Sequence, residues 1–317
     1  YWTMKTNSLS TFALAVVCLA IKCEASTNMR SRLSLNKEVE HPPLFRDMRQ
    51  NTPNHHLKQS VLSSNGPTSA LSISGGVVEN GIPDIFAPAF FLTCAGIMTY
   101  LIYQLRDLNM PTTIGSKALS LTVGALIWDN LIIAVGSIFF KNAKTNPASY
   151  GLLKLLSFPR FTLHAVGTPL NIITVAEMGK KVGIPFLSSN LIQSVISAVC
   201  IIVAVLDRTK FVTGPGIDLA TYEDSPPKAL ERAITRFTYK VPSFIDIIPA
   251  ILLSLSALVV GLAGRKYDEY IGNWLIAGAV VCVAANGTKG HIMTFAGNAG
   301  EVFLMFAMVQ VAAKVYV

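Results

Sequence analysis

The sequence predicts an all-α fold, that of a polytopic integral membrane protein with six or seven transmembrane helices. Of its 317 residues, 51% are hydrophobic and only 14% are charged, and the mean hydropathy is +0.49. Soluble domains contain about 25% charged residues. After residue 83 the chain consists mainly of long apolar runs. In lipid only helices or closed barrels satisfy the backbone hydrogen bonds, and the alternating polarity of barrel strands is absent from these runs, so we expect helices.

Seven apolar runs carry the predicted transmembrane helices. They cover residues 84–104, 117–140, 152–177, 185–206, 242–263, 270–288 and 294–316. Each approaches the length of about 20 residues that a helix needs to cross a bilayer. Most connections are short, so consecutive helices should be antiparallel neighbours. The segment 282–301, CVAANGTKGHIMTFAGNAGE, is rich in Gly and Asn, which leaves six spans with a re-entrant segment as the alternative.

The N-terminal residues 1–25 have the pattern of a cleaved signal peptide. Lys5 precedes an apolar run from Leu9 to Ile21, and small residues occupy positions 23 and 25. This run is too short to cross a bilayer, and small residues at those two positions suit a signal peptidase. An uncleaved signal anchor is the alternative.

A polar arm, residues 26–82, follows and is predicted to be disordered because it is rich in Ser, Asn and Pro and lacks periodicity. A signal peptide would place the protein in an endomembrane or the plasma membrane through the secretory pathway. The basic residues of the arm permit a second interpretation, in which it is a transit segment and the protein reaches a plastid membrane. Lys and Arg are more numerous in the loops on the side of the arm. That distribution opposes the secretory orientation.

The long connection between the fourth and fifth runs contains a predicted amphipathic helix, near residues 225–240, on the membrane surface. Ser225 is a suitable N-cap and Pro226 suits the first helical position. The apolar side chains of this helix would share one face. The basic side chains Lys228, Arg232 and Arg236 would lie near the lipid phosphates. A soluble loop helix is the alternative.

Ionisable residues inside apolar runs mark candidate functional sites because they are costly in a membrane. Asp129 lies deep in the second run, while Arg160 and His164 lie one helical turn apart in the third. Asp129 is about 18 Å of helix rise from Lys141, and Arg160 is about 15 Å from Tyr150. Since a short loop joins the two helices, Asp129 should lie level with the gap between Arg160 and His164. An Asp–Arg pair beside a titratable imidazole would suit proton-coupled transport.

A second interpretation of the third run begins its helix at Ser157 and Pro159. Arg160 would then lie in the first turn and extend to the lipid headgroups, leaving Asp129 and His164 at different depths. Both interpretations remain open at the level of the sequence.

Two further features belong to the candidate pathway. Gly167 and Pro169 lie in the middle of the third run, and a proline there frees a carbonyl, so we expect a helix kink that could line a solute site. Glu301 follows GNAG and precedes an apolar stretch. It is either the first-turn acid of the last helix or a buried group sharing a cavity with Asp129 or His291.

Several chemistries are disfavoured by the sequence. The formal charge of +8 is spread over short interhelical stretches, so basic flanks of membrane spans explain it better than nucleic-acid binding. Phosphate-loop, zinc-helix and nucleophile-elbow motifs do not occur in the sequence. The cysteines form no metal-ligand or disulfide pattern. We therefore expect no cofactor, no metal and no catalytic residues. An enzyme is the third hypothesis, and it would require Glu301 and His291 to share a lipid-accessible pocket.

The sequence thus predicts that the protein's main surroundings are a lipid bilayer. The leading hypothesis is passage of a small solute or ion along a polar path, with candidate residues Asp129, Arg160, His164 and Glu301. The alternative is a non-catalytic membrane subunit or assembly factor, in which the buried polar groups only hold helices together.

Overall fold

A computed structural model describes residues 85–108, 110–213, 216–220, 234–239, 248–287 and 293–316. Over these residues the chain forms seven α-helices, a short 3₁₀-helix at Pro185–Ser188 and a two-stranded sheet. The predicted signal peptide and polar arm lie outside the described residues. The helices are α1 Phe86–Asp107, α2 Ile114–Phe139, α3 Pro147–Val182, α4 Asn190–Thr213, α5 Ile248–Gly264, α6 Glu269–Asn286 and α7 Met293–Val315; the strands are β1 Ile217–Leu219 and β2 Phe237–Tyr239.

Each of the seven apolar runs coincides with one of these helices, which confirms the predicted helical fold class. Five helices are long and apolar enough to cross a bilayer, namely α1, α2, α4, α6 and α7. Helix α5 has 17 residues and is slightly short for an upright crossing. Helix α3 has 36 residues, and polar side chains interrupt its apolar sequence.

Helices α3 and α7 form the centre of the bundle. Helix α3 packs against α2, α4, α5 and α7, whereas α7 packs against α1, α2, α3 and α6. The main hydrophobic core lies between these helices and contains residues such as Met98, Leu119, Met178, Leu275 and Met308. Helix α4 packs against α3 at the edge of the bundle. Only 17% of the segment of α4 that is apolar enough to cross a bilayer is buried.

The beginning of α3 resolves one of the two interpretations of the third apolar run. The helix begins at Pro147, where the Asn146 side chain accepts hydrogen bonds from the N–H groups of Ala148 and Ser149. An Asn N-cap followed by proline at the first position is a strong start signal, so the predicted start at Ser157 and Pro159 is wrong. Arg160 therefore lies well inside the helix.

Helix α3 continues through Pro159 and Pro169. At Gly167, a Cβ atom would meet the Thr122 hydroxyl at 2.5 Å. The glycine therefore permits the close approach of α2 and α3. The predicted kink at Gly167 and Pro169 stays a prediction.

A β-hairpin lies against the C-terminal end of α2 and the N-terminal end of α3. It was not predicted from the sequence. Strands β1 and β2 pair antiparallel, with Asp218 opposite Thr238. The Tyr150 hydroxyl donates to the Asp218 carboxylate over 2.8 Å, and Phe237 is fully buried in a cluster with Leu153 and Phe161. The hairpin is thus anchored both by polar contacts and by a small core.

The predicted surface helix near residues 225–240 is wrong at its C-terminal end. Ile234 to Arg236 have no regular secondary structure and β2 follows, so pairing with β1 replaces the helix there. Lys228 and Arg232 lie outside the described residues, whereas Arg236 does not lie on a helix.

The docking of the hairpin depends on Gly136 in α2. A Cβ atom on Gly136 would collide with the backbone carbonyl of Thr235, whose own N–H donates to Ser137 Oγ over 3.3 Å. We expect Gly136→Ala to lower the free energy of unfolding by about 1–3 kcal/mol, because a methyl group forced against backbone overpacks the site. Thermal unfolding in detergent measures the change.

Gly124→Ala is the matched control on the same helix, since nothing lies within 4 Å of a Cβ atom there. Alanine is a better helix former than glycine, so Gly124→Ala should be neutral or stabilising. Equal loss of stability in both variants would contradict the proposed docking of the hairpin.

Candidate functional site

A cavity of about 520 Å³ enters the bundle between α2, α3, α4, α5, α6 and α7. It is bounded on one side by the C-terminal ends of α4 and α6, the N-terminal ends of α5 and α7, and residues in and beside β2. We call this end of the bundle side A. The deepest ionisable groups are Asp129, His164 and Glu301, each near the middle of its helix. The volume lies in the range of small-molecule sites.

Asp129 and Arg160 form an ion pair at the inner end of the cavity. Arg160 Nε lies 2.5 Å from Asp129 Oδ1. Asp129 is 3% exposed. The guanidinium also donates from Nη1 to the Phe237 carbonyl over 3.1 Å. Arg160 therefore connects the buried carboxylate of α2 with the hairpin.

His164 faces a second carboxylate across the cavity. Its Nε2 lies 3.3 Å from Glu301 Oε2, and the two side chains are 37% and 24% exposed. These values are large for groups in the middle of a helix bundle, and they arise because both side chains line the cavity. Helix α7 begins at Met293, so Glu301 is not a first-turn acid. Glu301 lines the same cavity as Asp129.

The partners of His164 suit both of its protonation states. Because Nε2 faces a carboxylate, we assign the proton of the neutral imidazole to Nε2. Nδ1 lies 3.1 Å from Thr168 Oγ1. The hydroxyl donates to Nδ1 when the ring is neutral and accepts from it when the ring is an imidazolium. His164 can therefore gain or lose a proton with only a rotation of the Thr168 hydroxyl.

The described wall of the cavity carries two guanidinium groups, Arg160 and Arg236, and three carboxyl groups, Asp129, Asp207 and Glu301. With these carboxyl groups ionised, the charge of the wall is negative when His164 is neutral and balanced when His164 is protonated. One added proton or one small cation would thus neutralise this wall, which is the electrostatic basis for coupling a cation to binding in the cavity.

Asn298 adds a neutral polar group to the wall. Its Nδ2 donates to the Thr294 carbonyl over 2.9 Å, whereas its Oδ1 is buried without a hydrogen-bond partner among the described residues. Buried polar atoms are normally paired. The inner part of the site therefore holds one unpaired amide oxygen among the described residues.

The structure brings Asp129, Arg160, His164 and Glu301 to one cavity, as the leading sequence hypothesis expects of pathway residues. His291 lies outside the described residues. Sequence reasoning missed three contributors to the cavity wall, Asp207, Asn298 and β2. A signal for Asp207 was available, because it is an acid close to the end of an apolar run. The contact of β2 depends on long-range docking, for which the local sequence has no signal.

Comparisons with protein-family models, with curated proteins and with solved structures find no match to this chain. The described residues contain no group of three or more His, Cys, Asp or Glu side chains placed to hold a metal ion.

Proposed function

We propose that the protein carries a small polar solute across a bilayer together with a proton. The observation that supports this most directly is the pair His164–Glu301, partly exposed inside a cavity of about 520 Å³, beside the buried pair Asp129–Arg160. A helix bundle built only for packing would exclude water from such groups, since exposed charge deep in apolar surroundings is costly.

The four groups have separate roles in this proposal. His164 takes up the proton, and Glu301 stabilises the imidazolium. Asp129 contributes a negative charge to the inner wall of the cavity. Arg160 holds Asp129 in place, since the guanidinium is itself fixed by its second contact, with the Phe237 carbonyl of the hairpin. Proton binding changes the charge of the cavity and therefore its affinity for the solute. By linkage, the bound solute changes the affinity for the proton to the same extent.

The first experiment measures access of water to the cavity. A single cysteine replaces His164 in a background in which Cys94, Cys200 and Cys282 are substituted, and a membrane-impermeant thiol reagent is added to the protein in lipid vesicles. We expect rapid labelling of His164→Cys from the face of the membrane that corresponds to side A.

Asn130→Cys serves as the matched control. It neighbours Asp129 on α2, is fully buried and does not line the cavity, so it should stay unlabelled. If His164→Cys is as protected as Asn130→Cys, the cavity is dry and the transport proposal is wrong.

Transport itself is measured in vesicles that contain the pH-sensitive dye pyranine. Small polar solutes, in turn amino acids, organic acids and amines, are added to vesicles with the wild-type protein. A solute that is carried with a proton acidifies the lumen, and Asp129→Asn should abolish the signal. Acidification that Asp129→Asn leaves unchanged would contradict the role of this carboxylate.

A structural role is the second candidate function, and one observation favours it. Arg160 links Asp129 to the Phe237 carbonyl, a contact that would stabilise the hairpin whether or not a solute passes. In this case the protein would act as a membrane subunit or assembly factor, and apolar replacement of the whole pair would preserve its function.

A further inference from the structure

A stripe of polar side chains continues along α3 beyond the cavity. Its members follow one another at three or four residues, about one helical turn each, so that the row winds gradually around the helix: His164, Thr168, Asn171, Thr174 and Glu177. From His164 to Glu177 the helix rises by about 20 Å, about two thirds of the hydrocarbon thickness of a bilayer, which is about 30 Å.

Helix α2 covers the stripe through direct hydrogen bonds. Asn171 Nδ2 donates to Thr122 Oγ1 over 2.6 Å, and Thr174 Oγ1 donates to the Gly115 carbonyl over 2.7 Å. Both α3 side chains are buried, with Asn171 at 0% and Thr174 at 1% exposed. We call these two contacts, Asn171 with Thr122 and Thr174 with the Gly115 carbonyl, the seam.

The seam ends at an acidic side chain near the opposite end of the bundle, side B. Thr113, the N-cap of α2, donates from Oγ1 to Glu177 Oε2 over 2.7 Å. Glu177 lies five residues before the end of α3 and is partly exposed. Proton-accepting groups therefore lie on both sides of the seam, with His164 towards side A and Glu177 towards side B.

A small cavity of about 20 Å³ adjoins the inner end of the seam. It is lined by Thr122, His164, Thr168 and Glu301 among others. This volume is enough for one water molecule, which needs about 10–15 Å³. Apolar side chains, among them Leu126, Leu253 and Leu304, complete the lining, so a mainly apolar gap lies between the main cavity and the seam.

We propose that the seam is the closed gate of a proton path from His164 to Glu177, an inference that rests on the proposed proton-coupled function. The Asn171 amide holds the gate closed, since its donors are used by Thr122 and the Gly167 carbonyl. An amide does not pass a proton on, so the seam must separate and admit water. The imidazolium then releases its proton to that water, the proton passes along the water, and the Glu177 carboxylate accepts it.

Two glycines explain the close packing of α2 against α3 at the seam. A Cβ atom on Gly167 would contact the Thr122 hydroxyl, and one on Gly115 would lie against Glu177 and the Thr174 backbone. The small residues let α2 and α3 approach closely, and a modest separation of the two helices would break the bonds of the seam together. The structure is accordingly open towards side A and closed towards side B.

The test uses Thr122→Val and Asn171→Ala in vesicles loaded with pyranine. Thr122→Val keeps the shape of the side chain and removes the hydrogen-bond acceptor, whereas Asn171→Ala removes the amide. We expect each to raise the acidification rate after an external acid pulse, without added solute, about fivefold, the rate change that corresponds to the loss of one hydrogen bond. Adding Glu177→Gln to either variant should return the rate towards that of the wild type.

Gln193→Ala is the matched control. Gln193 is also an interhelical amide of the bundle, which donates to the Ala176 and Leu187 carbonyls, but it lies away from the seam on α4. Its proton leak should equal that of the wild type. A leak in Asn171→Ala no larger than in Gln193→Ala would overturn the gate.

A second readout separates this inference from the proposed function. Thr174→Cys should resist an impermeant thiol reagent added from side B, and adding Thr122→Val should make it reactive. Protection that persists would overturn the gate even if solute transport is observed. Conversely, Thr174→Cys could become reactive in vesicles that carry no solute. That result would support the gate and contradict the solute transport of the proposed function.

Discussion

Asp129→Leu is expected to lower the free energy of unfolding by about 3–5 kcal/mol, the usual effect of removing one partner of a buried ion pair. The substitution leaves the Arg160 guanidinium, whose side chain is 15% exposed, without its counterion. Arg160→Met should have an effect of similar size, because it leaves the carboxylate uncompensated. Equilibrium unfolding in mixed micelles measures both changes.

The double variant Asp129→Leu with Arg160→Met should be more stable than either single variant. An apolar pair of similar volume removes both buried charges, which is often neutral. The lost bond from Arg160 to the Phe237 carbonyl should remain as a deficit of about 1 kcal/mol. If the losses of the single variants simply add, the two side chains do not act as a pair.

The pair Arg265 and Glu269 provides the control for exposed ion pairs. These side chains are 3.7 Å apart and 56% and 73% exposed, so Glu269→Ala should cost about 0–1 kcal/mol.

Transport by the double variant of Asp129 and Arg160 then distinguishes the two candidate functions. A folded double variant that has lost proton-driven uptake indicates a pathway role for the pair, whereas retained function indicates a structural role.

The helices and the level of the first ion pair could be predicted from the sequence for physical reasons. A long apolar run in lipid has to be helical because no water is present to satisfy its backbone. Asp129 and Arg160 lie on consecutive helices joined by the short segment 140–146. Counting residues back from this connection gives their depth, and the observed contact matches it.

The place of Glu301 could not be decided in this way. The Gly- and Asn-rich residues before it indicate a loop by the rules for soluble proteins, yet they belong to α7. A Cβ atom at Gly300 would lie 2.6 Å from the Ala285 side chain, so this glycine serves close helix packing. In membrane helices small residues mark interfaces, and local composition alone does not separate the two uses.

The hairpin and the seam were missed for different reasons. Strand β2 depends on pairing with β1, about 20 residues earlier, and on docking against Gly136, neither of which leaves a local pattern. The seam did leave a pattern, since Asn171 and Thr174 belong to a stripe of polar residues that recur at helical spacing in an apolar run. Reading polar periodicity as well as apolar periodicity would have found it.

His164→Gln is expected to uncouple solute movement from the proton gradient. Glutamine can donate to Glu301 and accept from Thr168, and so replaces the two contacts of the imidazole, but it cannot take up a proton. Coupling between two ligands is typically worth about 5- to 150-fold in affinity. We expect accumulation driven by a pH gradient to fall by a factor in this range, while exchange of labelled for unlabelled solute continues.

Ser254→Ala provides the control for this variant, because Ser254 lines the same cavity and has no titratable group. It should retain both accumulation and exchange. Wild-type accumulation in His164→Gln would exclude His164 as the proton carrier and would transfer that role to the carboxyl groups. Loss of exchange together with accumulation, in a folded variant, would instead place His164 at the solute-binding surface. The ratio of accumulation to exchange therefore assigns the role of the imidazole, because only a proton carrier alters one without the other.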